Sequence, residues 1–185
     1  MIKRFGRELC DPHVSKLLYC SLVRSMLDYA SPVWSLRSKY SIAKEESVQK
    51  QFLLFALRDL GWQHRWFLPS YEMRLQLLDM ETIVDRHRFF CAMLIFDARE
   101  GYIDCGDISS KIQTCTHSYS TRSRHLLQQQ HHRTNYGQNE PINKCIGVFN
   151  TYFKHYSAKM SRDVFKSRIK QDMKEATISP FRRRL

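Results

Sequence analysis

Three groups of side chains have the types and spacing to do chemistry, and all three point to a polyanion rather than to a bond-making reaction. Arg162, Lys166, Lys170 and Lys174 recur every four residues, which lines them up along one side of a helix beside a second stripe of Phe165, Ile169 and Met173. Such a helix can lie along a phosphate backbone. The same pattern also describes an ordinary amphipathic surface helix or one lying on a membrane surface. Arg182, Arg183 and Arg184 form the densest cluster of charge, with a disordered tail as the other reading. Arg133 and Tyr136 fall in His132-Arg133-Thr134-Asn135-Tyr136-Gly137, an exposed basic loop whose aromatic ring is of the kind that stacks on bases.

Other constellations lack the spacing their chemistry needs. His117, His125, His131 and His132 lie near Cys105 and Cys115, but structural zinc takes two close ligand pairs, which only Cys115 with His117 and the adjacent His131-His132 approximate, at the wrong spacing. No metal and no cofactor is expected. There is no Gly-x-Ser-x-Gly, no phosphate-binding glycine loop and no His-Glu-x-x-His. Asp28, Asp97 and Asp104 look isolated, and Glu45-Glu46 and Asp79-Met80-Glu81 read as charges at helix ends, so no catalytic residue is nominated. Tyr29 and Trp34 are expected in the core, whereas Trp62 and Trp66 flank a polar linker and offer a patch for a protein partner.

Charge agrees with a polyanionic partner. Lys plus Arg number 30 against 18 Asp plus Glu, giving +12, and the stretch from Lys154 to Leu185 has ten basic and three acidic residues, hence +7 of that total. The six cysteines are scattered without any CxxC, as expected for reduced thiols. The longest apolar run, Phe89 to Phe96, is eight residues, far short of the roughly 20 needed to span a membrane. Met1-Ile2-Lys3-Arg4 has no hydrophobic region behind it, so the expectation is an intracellular protein, nuclear or cytoplasmic and not secreted.

The elements that must position these residues are helical. Asp11-Pro12 predicts a cap and first turn, followed by Val14, Leu17, Leu18, Leu22, Met26 and Tyr29 at helical spacing to about Ala30. Further helices are predicted from Ser41 to Gly61, from Ser70 to Asp79 and from Thr82 to Glu100, with Phe52 to Leu57 buried all round. From Gln113 to Asn139 there is no acid and no periodicity, which reads as loop or weakly ordered linker. Periodicity returns in Ile142, Ile146, Phe149 and Phe153, and Ser161 caps a last helix. The expected fold is mainly α, an irregular bundle of five to six helices, with a helical region over 1–112, a polar His-rich linker over 113–139 and a basic helical segment over 140–185.

Taken in order, these residues also resemble a known family. Asp11-Pro12, the run Leu18 to Trp34 (LYCSLVRSMLDYASPVW), Val48-Gln49-Lys50-Gln51-Phe52, Leu57-Arg58-Asp59-Leu60-Gly61-Trp62 and Leu68-Pro69-Ser70-Tyr71-Glu72-Met73-Arg74 resemble the segment after the catalytic palm in reverse transcriptases of jockey-like non-LTR retrotransposons. His132 to Pro141 (HRTNYGQNEP) is similar to the same family. Asp28 stands where Glu is usual, and Ser35-Leu36 replaces a proline-containing turn.

The resemblance implies a thumb and post-thumb region, with fingers and palm missing upstream because Met1 falls inside the family's pattern, as in a truncated copy. The parent family is an RNA-directed DNA polymerase using a divalent metal through palm carboxylates, and the signature of a hydrophobic residue, Ala, Asp and Asp is absent here. Implied partners are RNA or an RNA/DNA duplex and the missing fingers and palm, with no membrane. The alternatives are a helical protein-interaction module or an unselected remnant.

Overall fold

The structure, a computed structural model, describes residues 11–34, 39–58, 69–115, 126–152 and 160–182. Among them the chain is mainly α-helical, with nine helices and no strand. Six of the nine coincide with the six segments that periodicity picks out. The other three, α2 (Ser31–Trp34), α6 (Gly106–Lys111) and α7 (Asn135–Gln138), are too short to leave a periodic trace.

Helix α1 begins as Pro12–Tyr19, with the Asp11 carboxylate accepting from the His13 amide at 2.8 Å. It widens into a π-helix over Cys20–Arg24, resumes over Ser25–Asp28 and ends in a turn where Ala30 has φ +49°. The buried face differs from the expected one. Tyr19 stacks on Phe52 with centroids 4.0 Å apart, which turns Ser15 and Tyr19 inward. The π turn then advances the buried line by five residues, from Tyr19 to Arg24, and carries Met26 outward. Leu17 is 69%, Met26 75% and Tyr29 79% exposed, correcting both the expected stripe and the core placement of Tyr29. Trp34 is half-buried.

Helix α3 (Lys39–Ala56) turns Glu46, Gln49, Phe52, Leu53 and Ala56 inward. Leu54 is 42% exposed, so the apolar run is a wide face rather than a fully surrounded one. Helix α4 (Tyr71–Leu77) is capped by Ser70, whose hydroxyl accepts from the Met73 amide at 3.3 Å. Helix α5 (Ile83–Arg99) starts on a reciprocal cap: Asp85 donates its amide to the Thr82 hydroxyl at 3.0 Å, and that hydroxyl donates to the Asp85 carboxylate at 2.8 Å. Gly101, at φ +77°, turns the chain shortly after the helix ends. Trp62 and Trp66 lie outside the described residues.

The chain divides into two compact units, the first drawn from Met1–Ser31 and Ser35–His87, the second from Pro32–Trp34 and Arg88–Leu185. The division falls inside α5, away from the changes in composition at 113 and 139. Tyr19, Phe52, Leu53, Ala56, Leu57, Leu75, Leu78 and Met80 form the core of the first unit.

In the second unit α8 (Pro141–Tyr152) and α9 (Arg162–Arg182) bring Phe149 and Phe165 together with Phe96. Phe165 stacks on Phe96 at 3.8 Å between centroids, and Phe149 lies 6.1 Å from Phe165. Part of the expected linker is anchored here. Leu127 is fully buried; its N–H donates to Asn150 Oδ1 at 3.1 Å and its carbonyl accepts from Asn150 Nδ2 at 2.8 Å. Asn143, two helical turns earlier, holds the N–H and carbonyl of Gln130 in the same way, both at 3.0 Å. A bridge joins Thr114 to Leu127. Two asparagines on one helix face thus stand in for a neighbouring strand, which supplies order without any apolar periodicity.

Candidate nucleic-acid interface

Helix α9 buries the predicted stripe, with Phe165 and Ile169 fully enclosed and Met173 nearly so. The basic stripe is less free than its spacing implies. A residue three positions before another lies about 60° away around the helix, so Arg162, Lys166 and Lys170 flank the buried stripe instead of opposing it. Arg162 accordingly reaches across to α5: its Nε and Nη2 donate to the two carboxylate oxygens of Asp97, each at 2.8 Å. Asp97 is buried, and its carboxylate shifts the Arg162 guanidinium further toward the charged form. Eight residues on, the Lys170 ammonium lies 5.7 Å from the centroid of Phe89, eight residues before Asp97. The two contacts fix α9 antiparallel to this part of α5.

Arg162 is thus paired with Asp97 while its own side chain stays 55% exposed, so it is less available to a phosphate than its spacing implies. Lys166 is exposed and has no partner among the described residues, and Lys170 is exposed beyond its ring contact. Arg168, which the four-residue spacing passes over, is also exposed on another side of α9, with no partner among the described residues. Only an explicit helical projection would have found it. Asp163 and Asp172 share the helix, so its charge is positive but not unbroken. Of Lys174, Arg182, Arg183 and Arg184, the side chains lie outside the described residues.

The second nominated site is carried by α7 and the residues leading into it. Arg133 is exposed with no partner among the described residues, and Tyr136 is 92% exposed. Close by, the Lys111 ammonium pairs with Glu140, and His132 Nε2 lies 3.8 Å from the same carboxylate. That acid is consequently occupied.

Two of the three acids that look isolated in the sequence, Asp28 and Asp97, are paired in the structure, whereas Asp104 is exposed. Asp28 holds Arg86, with the Arg86 Nε at 3.0 Å, and Asp97 holds Arg162. Glu46 is buried rather than a helix-end charge: it accepts the Tyr71 hydroxyl and, at 3.2 Å, the amide of Ile83 in the first turn of α5. Burial pushes the Tyr71 hydroxyl up, and its bond to Glu46 adds to the shift. His87 is buried, with Nε2 3.0 Å from the Leu27 carbonyl and Nδ1 3.6 Å from Glu45.

Among the described residues no group of three His, Cys, Asp or Glu is placed to hold a metal ion. His117 and His125 lie outside those residues. No helix among them is long and apolar enough to cross a membrane. No protein-family profile, curated protein or solved structure matches the chain.

Proposed function

We propose that this chain is a non-catalytic nucleic-acid-binding segment that grips the backbone of RNA or an RNA/DNA duplex, as the thumb region would in the retrotransposon reverse transcriptases it resembles. One observation carries the reading. In the second unit Asp97 and Glu140 are committed to Arg162 and to Lys111, while Arg133, Lys166 and Arg168 stay exposed and have no partner among the described residues. Cations left in water do little for folding, and a phosphate backbone is the partner whose geometry tolerates such a dispersed set. The polymerase chemistry of that family belongs to parts that this sequence lacks, because the hydrophobic-Ala-Asp-Asp signature is missing.

Fluorescence anisotropy on an RNA/DNA duplex tests the proposal. For about four to six neutralised phosphates, log K falls against log salt with a slope of roughly −4 to −5. Templated incorporation of nucleotides by the purified chain would overturn the non-catalytic part.

A second reading, a protein-interaction module, is favoured by the outward apolar face of α1, where Leu17, Leu22 and Met26 are exposed. Capture of a protein partner that is lost in Leu17→Glu/Met26→Glu, together with no nucleic-acid binding at low salt, would replace the first reading by the second.

A further inference from the structure

The turn containing α7 is held firmly at the point where it exposes its largest side chain. The Thr134 hydroxyl accepts from the Gly137 amide at 3.3 Å, Gln138 Nε2 donates to the His132 carbonyl at 3.1 Å, and Asn139 Nδ2 donates to the Asn135 carbonyl at 2.7 Å. A Cβ on Gly137 would come within 2.7 Å of the His132 side chain, so the turn closes tightly on that ring. From this scaffold Tyr136 projects 92% exposed, more than any other large hydrophobic side chain among the described residues. An aromatic ring in water forgoes the burial that makes it worth having.

Its surroundings select the partner. His131 and Arg133 are exposed beside it in sequence, and the neighbouring acid, Glu140, is taken up by Lys111 with His132 close by. A protein partner with an acidic apolar surface would need a wider apolar patch than one ring. A nucleobase needs only the ring, and its phosphate suits the guanidinium.

Resting on the nucleic-acid reading above, we propose that Tyr136 is a stacking platform for an unpaired base, with Arg133 meeting the adjacent phosphate. The chain therefore distinguishes single-stranded segments from continuous duplex, in which the faces of the bases are already covered by their neighbours. Helix α9 supplies the grip that does not depend on strandedness, and Tyr136 supplies the preference.

The test compares the full chain with Tyr136→Ala and Tyr136→Phe in binding a single-stranded RNA of about ten nucleotides and a blunt RNA/DNA duplex. Loss of the ring is expected to weaken the single strand about tenfold and to leave the duplex unchanged, while Tyr136→Phe binds both like the parent. The side chain lies outside the core, so the variants fold. Equal affinities of Tyr136→Ala and the parent for the single strand would overturn the stacking role while leaving duplex binding intact. Equal weakening on both substrates would overturn the claimed preference. Failure of the parent to bind either substrate at low salt would overturn both this proposal and the function it rests on.

Discussion

Helices α1 and α9 both carry an apolar stripe in the sequence, yet only α9 buries the stripe it displays. In α9 the four-residue spacing of Phe165, Ile169 and Met173 is undisturbed, and the Phe96 and Phe149 rings receive it. In α1 one ring overrides the pattern: Tyr19 takes its place on Phe52, the π turn shifts the register, and Arg24 enters where a leucine was expected. Periodicity thus reports which residues a helix can bury. A single well-fitted aromatic contact decides which of them it does bury.

The contrast is sharpest in truncation. Phe165→Ala removes a fully enclosed ring and its stack on Phe96, and should cost about 3–5 kcal/mol, read by urea denaturation. Next comes Asn150→Ala, which leaves the buried N–H and carbonyl of Leu127 without partners; a loss of about 2–4 kcal/mol is expected. A negligible effect there would mean that the segment from Leu127 to Gln130 is not anchored by α8.

Acid should then weaken the unit containing α1 through His87. Burial holds His87 below its ordinary value of 6.5, so the unfolded chain takes up the proton first. The stability that depends on the neutral ring is present above pH 6.5 and is lost as pH falls through and below it. Burial, with Glu46 nearby, raises the Glu45 carboxyl above its ordinary 4.5, and that contribution runs the other way, declining as pH rises. Hydrogen exchange followed as pH falls through 6.5 should therefore show the His87 contribution as a loss of protection in the unit containing α1 that is larger in the parent than in His87→Gln. The smallest effect belongs to Leu17→Ala on the exposed side of α1, expected within about 0.5 kcal/mol of the parent. A loss approaching that of Phe165→Ala would show that this face is covered in solution.

What could be read from the sequence follows the range of the interactions. The long helices, the Asp11 cap and the α9 core stripe depend on neighbours within a few residues, and all were legible. The pairs Asp97 with Arg162 and Asp28 with Arg86 span 65 and 58 residues, so an acid that looks isolated gives no sign of its partner. For the candidate site, spacing nominated Lys166 and Lys170 together with Arg162, whose exposed guanidinium is paired with the buried Asp97. Tyr136 was legible as a loop aromatic, whereas the tight turn that presents it depends on His132, Gly137 and Gln138 acting together.

The proposed grip is tested most directly by the salt dependence of RNA/DNA duplex binding in two variants. Replacing Lys166 and Lys170 together by Gln removes two phosphate contacts and should flatten the slope of log K against log salt by about 1.8, whereas Arg162→Gln, already committed to Asp97, should leave it unchanged. An unchanged slope in the lysine pair, or a flattened one in Arg162→Gln alone, would contradict the assignment of α9 as the backbone-gripping surface.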